Sequence, residues 1–505
     1  MPLTQTVLEV ARTHPDRVAI ATAAERLTYA ELVSDSRRLI AAIRHLQAKQ
    51  ARPPRPARET RGIPIVAIST TSAFETGRIF AGLAGYRVVS ATIDPRWPLA
   101  HQTGVIVSSG AGVAVSDSAE LATALGAAGW TGTTIAPIEL HRLEATLPPA
   151  ELPTVRAGDE AFLMLFSSGT THDPKAFLKT RRQYRDNFSV SSAYLEPLPG
   201  VTTWAPGPVS YSLTLWALLE CLASGGSAYL ADAFDPLAAG HFIAAHAITR
   251  IVTVPAMVGA LAAVARREPR NFAGLRLIVT GGAYLPPSIR AAVAAAIPGA
   301  RLISYYGAAE IGFIGDSRSG DGTLIDLYRG IEAELRRDDG SPIPTTGDEL
   351  GTIWIRASAC SDGYVAGTSA EPLVDAGGWA TVHDQGRWAG GALRLVGRAG
   401  DIANTGGHKV SLAEVERAFD GAPGVRAACA ITVPDARRGT LVALVVEADA
   451  GVRKDALVEL ARTRLAPQYV PRRWYRVDAL PRTVGGKVRR GATVEQVTRG
   501  EVTSL

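Results

Sequence analysis

Residues 163–175 read Leu163-Met164-Leu165-Phe166-Ser167-Ser168-Gly169-Thr170-Thr171-His172-Asp173-Pro174-Lys175, an apolar run set directly against a loop of hydroxyls, glycine and lysine. A short apolar run bounded by turn formers suits a strand buried on both faces, as in a parallel sheet. At its end, hydroxyls and exposed backbone amides can surround phosphate oxygens. Glycine lets the chain approach a ligand closely, and Lys175 adds a mobile positive charge. The spacing is not Gly-x-x-x-x-Gly-Lys-Ser, so ordinary P-loop hydrolysis is disfavoured. Alone, such a turn is more often structural than functional.

The rhythm around this segment is βαβ. Leu27 and Thr28-Tyr29-Ala30-Glu31 read as a strand edge entering a helix that runs to about His45. Residues 63–69 suit a buried strand, 74–84 a helix and 87–93 a second strand closing at Asp94-Pro95. Similar short runs recur at 112–115, 161–166, 226–230, 251–254 and 275–280, with connections long enough for right-handed crossovers. The expected fold class is therefore α/β, with a large N-terminal body. At 332–336 and 351–356 the pattern becomes short alternating strands, and Gly377-Gly378 and Gly390-Gly391 mark turns of a small β-rich unit. Beyond Gly397-Arg398-Ala399-Gly400-Asp401 come a helix at 411–419, strands at 427–433 and 441–447, and a helix at 454–465, an α+β domain of about 105 residues. Ser411 followed by Glu414 resembles a capping box.

Composition narrows the classes. The 505 residues are 47% hydrophobic and 20% charged, inside the globular range and long enough for about three structural units. Lys plus Arg number 53 against 48 Asp plus Glu, a formal charge of +5. That is small for the length, and no basic tract with interleaved aromatics marks a nucleic-acid surface. The densest basic stretch, 49–61, carries three prolines and reads as an exposed loop. Cys221, Cys360 and Cys429 are far apart, without zinc-like spacing. With no leader pattern and no long apolar span, the expectation is a cytoplasmic protein without a membrane partner.

Five stretches carry a family resemblance when taken together: 167–175, Tyr306-Gly307-Ala308-Ala309-Glu310, 379–384, 397–410 and 480–490. In order and spacing the chain resembles the adenylate-forming family of acyl- and aryl-CoA synthetases, luciferases and peptide-synthetase adenylation domains. The resemblance implies an N-terminal adenylation body at 1–398, a mobile C-terminal domain at 401–505 and a hinge near Gly400. It also implies ATP with Mg²⁺ as the activating pair and coenzyme A as acceptor.

The implied site is assigned residue by residue. Ser167, Ser168, Gly169, Thr170, Thr171 and Lys175 would hold the β- and γ-phosphates, with His172 and Ala176 where relatives usually or often have glycine. Tyr306 would stack on adenine, Gly307 would let the chain pass closely, and Glu310 would hold Mg²⁺. Ala309 stands where a threonine hydroxyl usually contacts the α-phosphate. Gly281, Gly282 and Ala283 would line adenine and the acid pocket. Asp384 would take the ribose hydroxyls, with His383 in place of the usual glycine before it. Arg398 would reach ribose or phosphate. Lys487, on the glycine-flanked loop Gly485-Gly486-Lys487, would bridge the acid and the α-phosphate. Gly407 would let a thiol arm approach, with His408 and Lys409 beside it. The segment Trp204 to Tyr211 lacks the histidine common in relatives, which points to an unusual, bulky apolar acid of secondary metabolism.

The expected function is thus an ATP-dependent carboxylic acid:CoA ligase. The alternative is a stand-alone adenylating enzyme that loads a carrier protein. A catalytically silent relative is the third class, against which Lys175, Glu310, Asp384, Arg398 and Lys487 argue together.

Overall fold

The computed structural model describes residues 2–505 apart from 168–173, 321, 406–407, 436–438 and 484–485. Its first long helix, Tyr29–Ala48, starts where the sequence provides a reciprocal cap: Thr28 accepts from the Glu31 amide and the Glu31 carboxylate accepts from the Thr28 amide. Among the described residues the strands form sheets of fourteen, six, four and two.

The six-stranded sheet runs Thr133–Ile135, Val113–Ser116, Ile65–Ser69, Val89–Thr92, Ala161–Phe166 and Ala176–Thr180. Every pairing is parallel except the last, where Phe166 faces Ala176 in an antiparallel hairpin. The strand expected at 87–93 is the shorter Val89–Thr92; Arg87 is exposed, while Val88 and Ile93 flank the strand as buried residues.

The fourteen-stranded sheet joins two kinds of pairing. Val18–Ala21, Ser227–Leu230, Thr202–Ala205, Arg250–Thr253, Leu277–Thr280 and Arg301–Ala308 lie side by side in parallel. From Gly312–Ser317 onward the pairing is antiparallel, through Glu332–Arg336, Gly351–Arg356, Asp384–Ala389 and Ala392–Arg398. The β-rich unit read from the sequence is therefore an extension of the main sheet, not a separate layer.

The C-terminal unit is α+β. Val425–Asp435, Gly439–Ala448, Arg473–Val477 and Thr503–Ser504 form its sheet, packed by Leu412–Arg417, Lys454–Arg464 and Arg490–Thr498. It has an apolar core of its own around Val415, Phe419, Leu444 and Trp474. The Ser411 hydroxyl accepts from the Glu414 amide at 3.1 Å, as the capping pattern predicts, but the helix stops at Arg417. The basic stretch at 49–61 closes in a short turn, Arg58–Thr60, with Thr60 buried. Cys221 and Cys429 are buried and Cys360 is partly buried, all with free thiols. No helix among the described residues is long and apolar enough to cross a membrane.

Candidate active site

Three loops leave the carboxyl ends of strands and carry most of the predicted residues, the position where α/β sheets bind ligands. The first is the hairpin after Ala161–Phe166. Its base is closed by the Ser167 amide donating to the Lys175 carbonyl at 2.9 Å and the Lys175 amide donating to Ser167 Oγ at 3.1 Å. Ser168, Gly169, Thr170, Thr171 and His172 lie outside the described residues. The Lys175 ammonium sits 5.2 Å from the centre of the Tyr364 ring and 4.0 Å from Glu371.

The second loop follows Leu277–Thr280. Gly282 is left-handed at φ +76°, which suits glycine, and a β-carbon on Gly281 would run into the Tyr305 ring. Beneath Gly281, Tyr305 packs edge-on to Phe313 at 4.9 Å, and Trp216 stacks on Tyr184 at 4.7 Å. Trp216 and Phe313 join the two pairs into one aromatic wall. Ala283 is exposed beside Gly282.

The third loop follows Arg301–Ala308. A register shift falls between Tyr306 and Gly307, where a β-carbon on Gly307 would stand 2.6 Å from the Gly312 carbonyl oxygen. The kinked backbone requires glycine there. Ala309 is half-buried against the main core. Glu310 is only 7% exposed, although the residue alone reads as a surface carboxylate. Its carboxylate has no ion-pair partner among the described residues; the Tyr364 hydroxyl lies 3.5 Å away, at the outer limit of a hydrogen bond. Burial pushes the Glu310 pKa up, and the charges of Arg398 and Lys179 pull it back.

Asp384 and Arg398 are brought together by antiparallel register, facing each other at the ends of adjoining strands. Arg398 Nε donates to one Asp384 oxygen at 3.1 Å and the Tyr306 hydroxyl donates to the other at 2.8 Å. Asp384 raises the Arg398 pKa; burial, with the Asp384 charge adding, lifts the Tyr306 phenol well above its ordinary value. His383 adopts φ +62°, the left-handed region, which accounts for the glycine usual there. Its ring contacts Glu371 at 3.1 Å, linking the start of the Asp384–Ala389 strand to the carboxylate beside Lys175. Trp379 lies below the guanidinium of Arg356 at 4.2 Å and supports this edge without reaching the site residues.

Lys487 arrives from the other domain. Its loop is a tight hairpin: the Thr483 amide donates to the Lys487 carbonyl, and the Lys487 amide donates to Thr483 Oγ1. A β-carbon on Gly282 would stand 4.0 Å from Lys487 Nζ, and one on Gly486 would stand 3.6 Å from Ala256. The side chain keeps an open face to solvent, yet the walls of the cleft lower its pKa, helped by the Arg398 charge and opposed by Asp384. Gly407 lies outside the described residues, as do the side chains of His408 and Lys409.

One buried group has no counterpart in the sequence reading. Lys179 is 1% exposed, and its ammonium donates to the carbonyls of Glu310 at 2.7 Å and Ala359 at 2.6 Å. Burial pulls its pKa down to about 8. A lysine inside an otherwise apolar strand, Ala176–Thr180, is the signal that marks it.

Fold and site together define a nucleotide-binding α/β body with a small α+β domain that presents a lysine to it. The family description of AMP-binding enzymes matches residues 7–365, and that of their C-terminal domain matches 414–487. The chain belongs to this family of adenylate-forming ligases, related to the acyl-CoA synthetases. It is 27% identical to the uncharacterized acyl-CoA ligase YhfT of Bacillus subtilis, over 97% of both chains. It is also 27% identical to MmaC of Mycobacterium marinum, a fatty acid–[acyl-carrier-protein] ligase, over 98% of both. The ATP-bound structure of MatB from Rhodopseudomonas palustris superposes with a TM-score of 0.83 at 22% identity, covering 98% of this chain and 99% of that one.

Proposed function

We propose that the chain is an ATP-dependent carboxylic acid:CoA ligase, releasing pyrophosphate and then AMP. The observation that carries this reading is the convergence of Lys487 on Gly282, Asp384 and Arg398 from a separate domain. A cation delivered this way can stabilise charge that builds as two anions react. In the first step a carboxylate oxygen of the acid attacks the α-phosphorus of ATP, and the bond to pyrophosphate breaks. Ser167 and Lys175 would flank the leaving phosphates, and Ser168, Gly169, Thr170 and Thr171 would supply further hydroxyls and amides to them. Asp384 and Arg398 hold the ribose side, Tyr306 and Gly307 border the base, and Gly281, Gly282 and Ala283 line the acid. A buried carboxylate without an ion-pair partner fits a hard cation that shares its coordination with phosphate oxygens and water. Glu310 would hold Mg²⁺, which supplies neutralisation of phosphate charge.

In the second step the thiolate sulfur of CoA attacks the acyl carbonyl and AMP leaves. Withdrawal of the Lys487 domain about Gly400 would open the route, with Gly407 beside the incoming arm. The likeness to MmaC favours a second reading, in which the acceptor is the phosphopantetheine thiol of a carrier protein.

A panel of acids, assayed separately for pyrophosphate release and for acylation of CoA or a carrier, distinguishes the readings. Acid-dependent AMP and CoA thioester support the first; faster acylation of a carrier than of CoA selects the second. Lys487→Ala is expected to lower adenylation by about two orders of magnitude while supplied acyl-AMP is still converted to thioester. Equal losses in both half-reactions would remove the domain-exchange reading.

A further inference from the structure

Among the described residues, the Lys487 ammonium makes no hydrogen bond or ion pair with the body. Gly486 and Lys487 meet the body through small groups at Ala256 and Gly282. A directional contact between the two domains lies further along, where the C-terminal domain reaches the start of Pro287–Ala296. The Asp420 carboxylate accepts from Ser288 Oγ at 2.6 Å and from the Ser288 amide at 3.1 Å. Both bonds are charge-assisted, and the amide belongs to the first turn of a ten-residue helix, where the dipole favours an anion.

Asp420 is rigidly presented. Its neighbour Phe419 is buried and packs edge-on to Trp474, and Arg464 donates to the Asp420 carbonyl at 3.1 Å. Gly421 lies alongside, where a β-carbon would be in ordinary contact with Ser288 Cβ at 4.0 Å. Beside it the Arg417 guanidinium lies over Tyr284 at 5.4 Å. Tyr284 follows Gly281-Gly282-Ala283 directly in sequence, so the contact and the Lys487 approach share one loop.

We propose that Asp420 and Ser288 form a docking latch that selects the lysine-in arrangement, and that both are positioning residues for Lys487. The proposal rests on the reading that Lys487 serves only the first half-reaction. A contact made in one arrangement and absent in the other shifts the equilibrium by its own differential energy. The latch therefore favours adenylation and opposes the arrangement that admits the thiol. Removing it has opposite consequences for the two steps, which a merely structural role would not produce.

The test measures both half-reactions in the full chain for Asp420→Ala, Ser288→Ala and the double variant. Adenylation is expected to fall about tenfold in Asp420→Ala, the scale of two charge-assisted hydrogen bonds weakened by solvent exposure. Conversion of supplied acyl-AMP to thioester stays the same or speeds up. Ser288→Ala, on an exposed side chain of the other domain, shifts both rates in the same directions, and the double variant is no slower in adenylation than Asp420→Ala. Equal losses in both half-reactions, or no change in either for Ser288→Ala and Asp420→Ala alike, would overturn the latch. Failure of the native chain to release pyrophosphate with any acid is a separate result, which refutes the functional reading beneath it.

Discussion

The site depends on single side chains whose surroundings set their chemistry. Lys179 is a buried ammonium satisfied by two carbonyls and no carboxylate, so it ties the Glu310 turn to the segment at Ala359 at the cost of a depressed pKa of about 8. The Ser361 amide donates to the same Glu310 carbonyl, and Ser361 Oγ donates back to Leu178 at 2.9 Å. The strand leaving the phosphate hairpin is thereby locked to the carboxylate proposed to meet the metal. Ala309, next to Glu310, lacks the hydroxyl that relatives direct at the α-phosphate. The position is half-buried and packs against the main core. Ala309→Thr is expected to raise acid-dependent pyrophosphate exchange by about three- to tenfold, the value of one added hydrogen bond in the transition state. An unchanged rate would mean that another donor already fills the place.

At the scale of elements, the segment that carries Lys487 is braced at both ends. Glu447 accepts from the Leu480 amide at 2.9 Å and from Arg482 at 2.8 Å at the entrance of the hairpin. At its exit Arg490 donates to Asp401 at 2.9 Å and also to Glu416 and the Ala430 carbonyl. Asp401 follows Gly400, where an added β-carbon would meet nothing within 4 Å, so packing does not demand glycine at the proposed pivot. The arginine thus fastens the lysine hairpin to the residue just beyond that pivot. Burial raises the pKa of Glu416, and the Arg490 charge opposes it. Arg490→Met would leave the half-buried Glu416 without its cation, a loss of about 1.5–3 kcal/mol from the C-terminal domain. Urea unfolding followed through Trp474 checks it; a loss below about 1 kcal/mol would show that Glu416 is relieved in another way.

Across the whole molecule, charge also joins helices far from the site. Arg78 is 1% exposed and contacts Asp35, Glu75 and Glu144, while His141 bridges Glu75 at 2.8 Å and Glu144 at 3.3 Å. Hydrogen bonds to Glu144 and Glu75 raise the His141 pKa to about 9, against burial and the Arg78 charge. Because the folded value lies above the unfolded one, near 6.5, this contribution is complete below about pH 6.5 and is lost as pH rises through about 9. The urea midpoint of the native chain is expected to fall across that window more steeply than that of His141→Gln; parallel slopes would show that the imidazolium contributes nothing. The order of α/β body, β-rich unit and α+β domain was readable from short buried runs and glycine turns, since burial on both faces of a parallel strand leaves a plain apolar signature; that the β-rich unit extends the main sheet by antiparallel pairing was not. The candidate site was expected only through the family resemblance of five stretches taken together, since a glycine-containing turn with a charge is by itself more often structural. Tertiary structure alone decided that Glu310 is buried, that Asp384 pairs with Arg398 and Tyr306, that Lys179 stands behind the site and that Asp420 meets Ser288. Each of these joins residues distant in sequence, and no local propensity or spacing encodes a contact made only when separate strands and domains pack together.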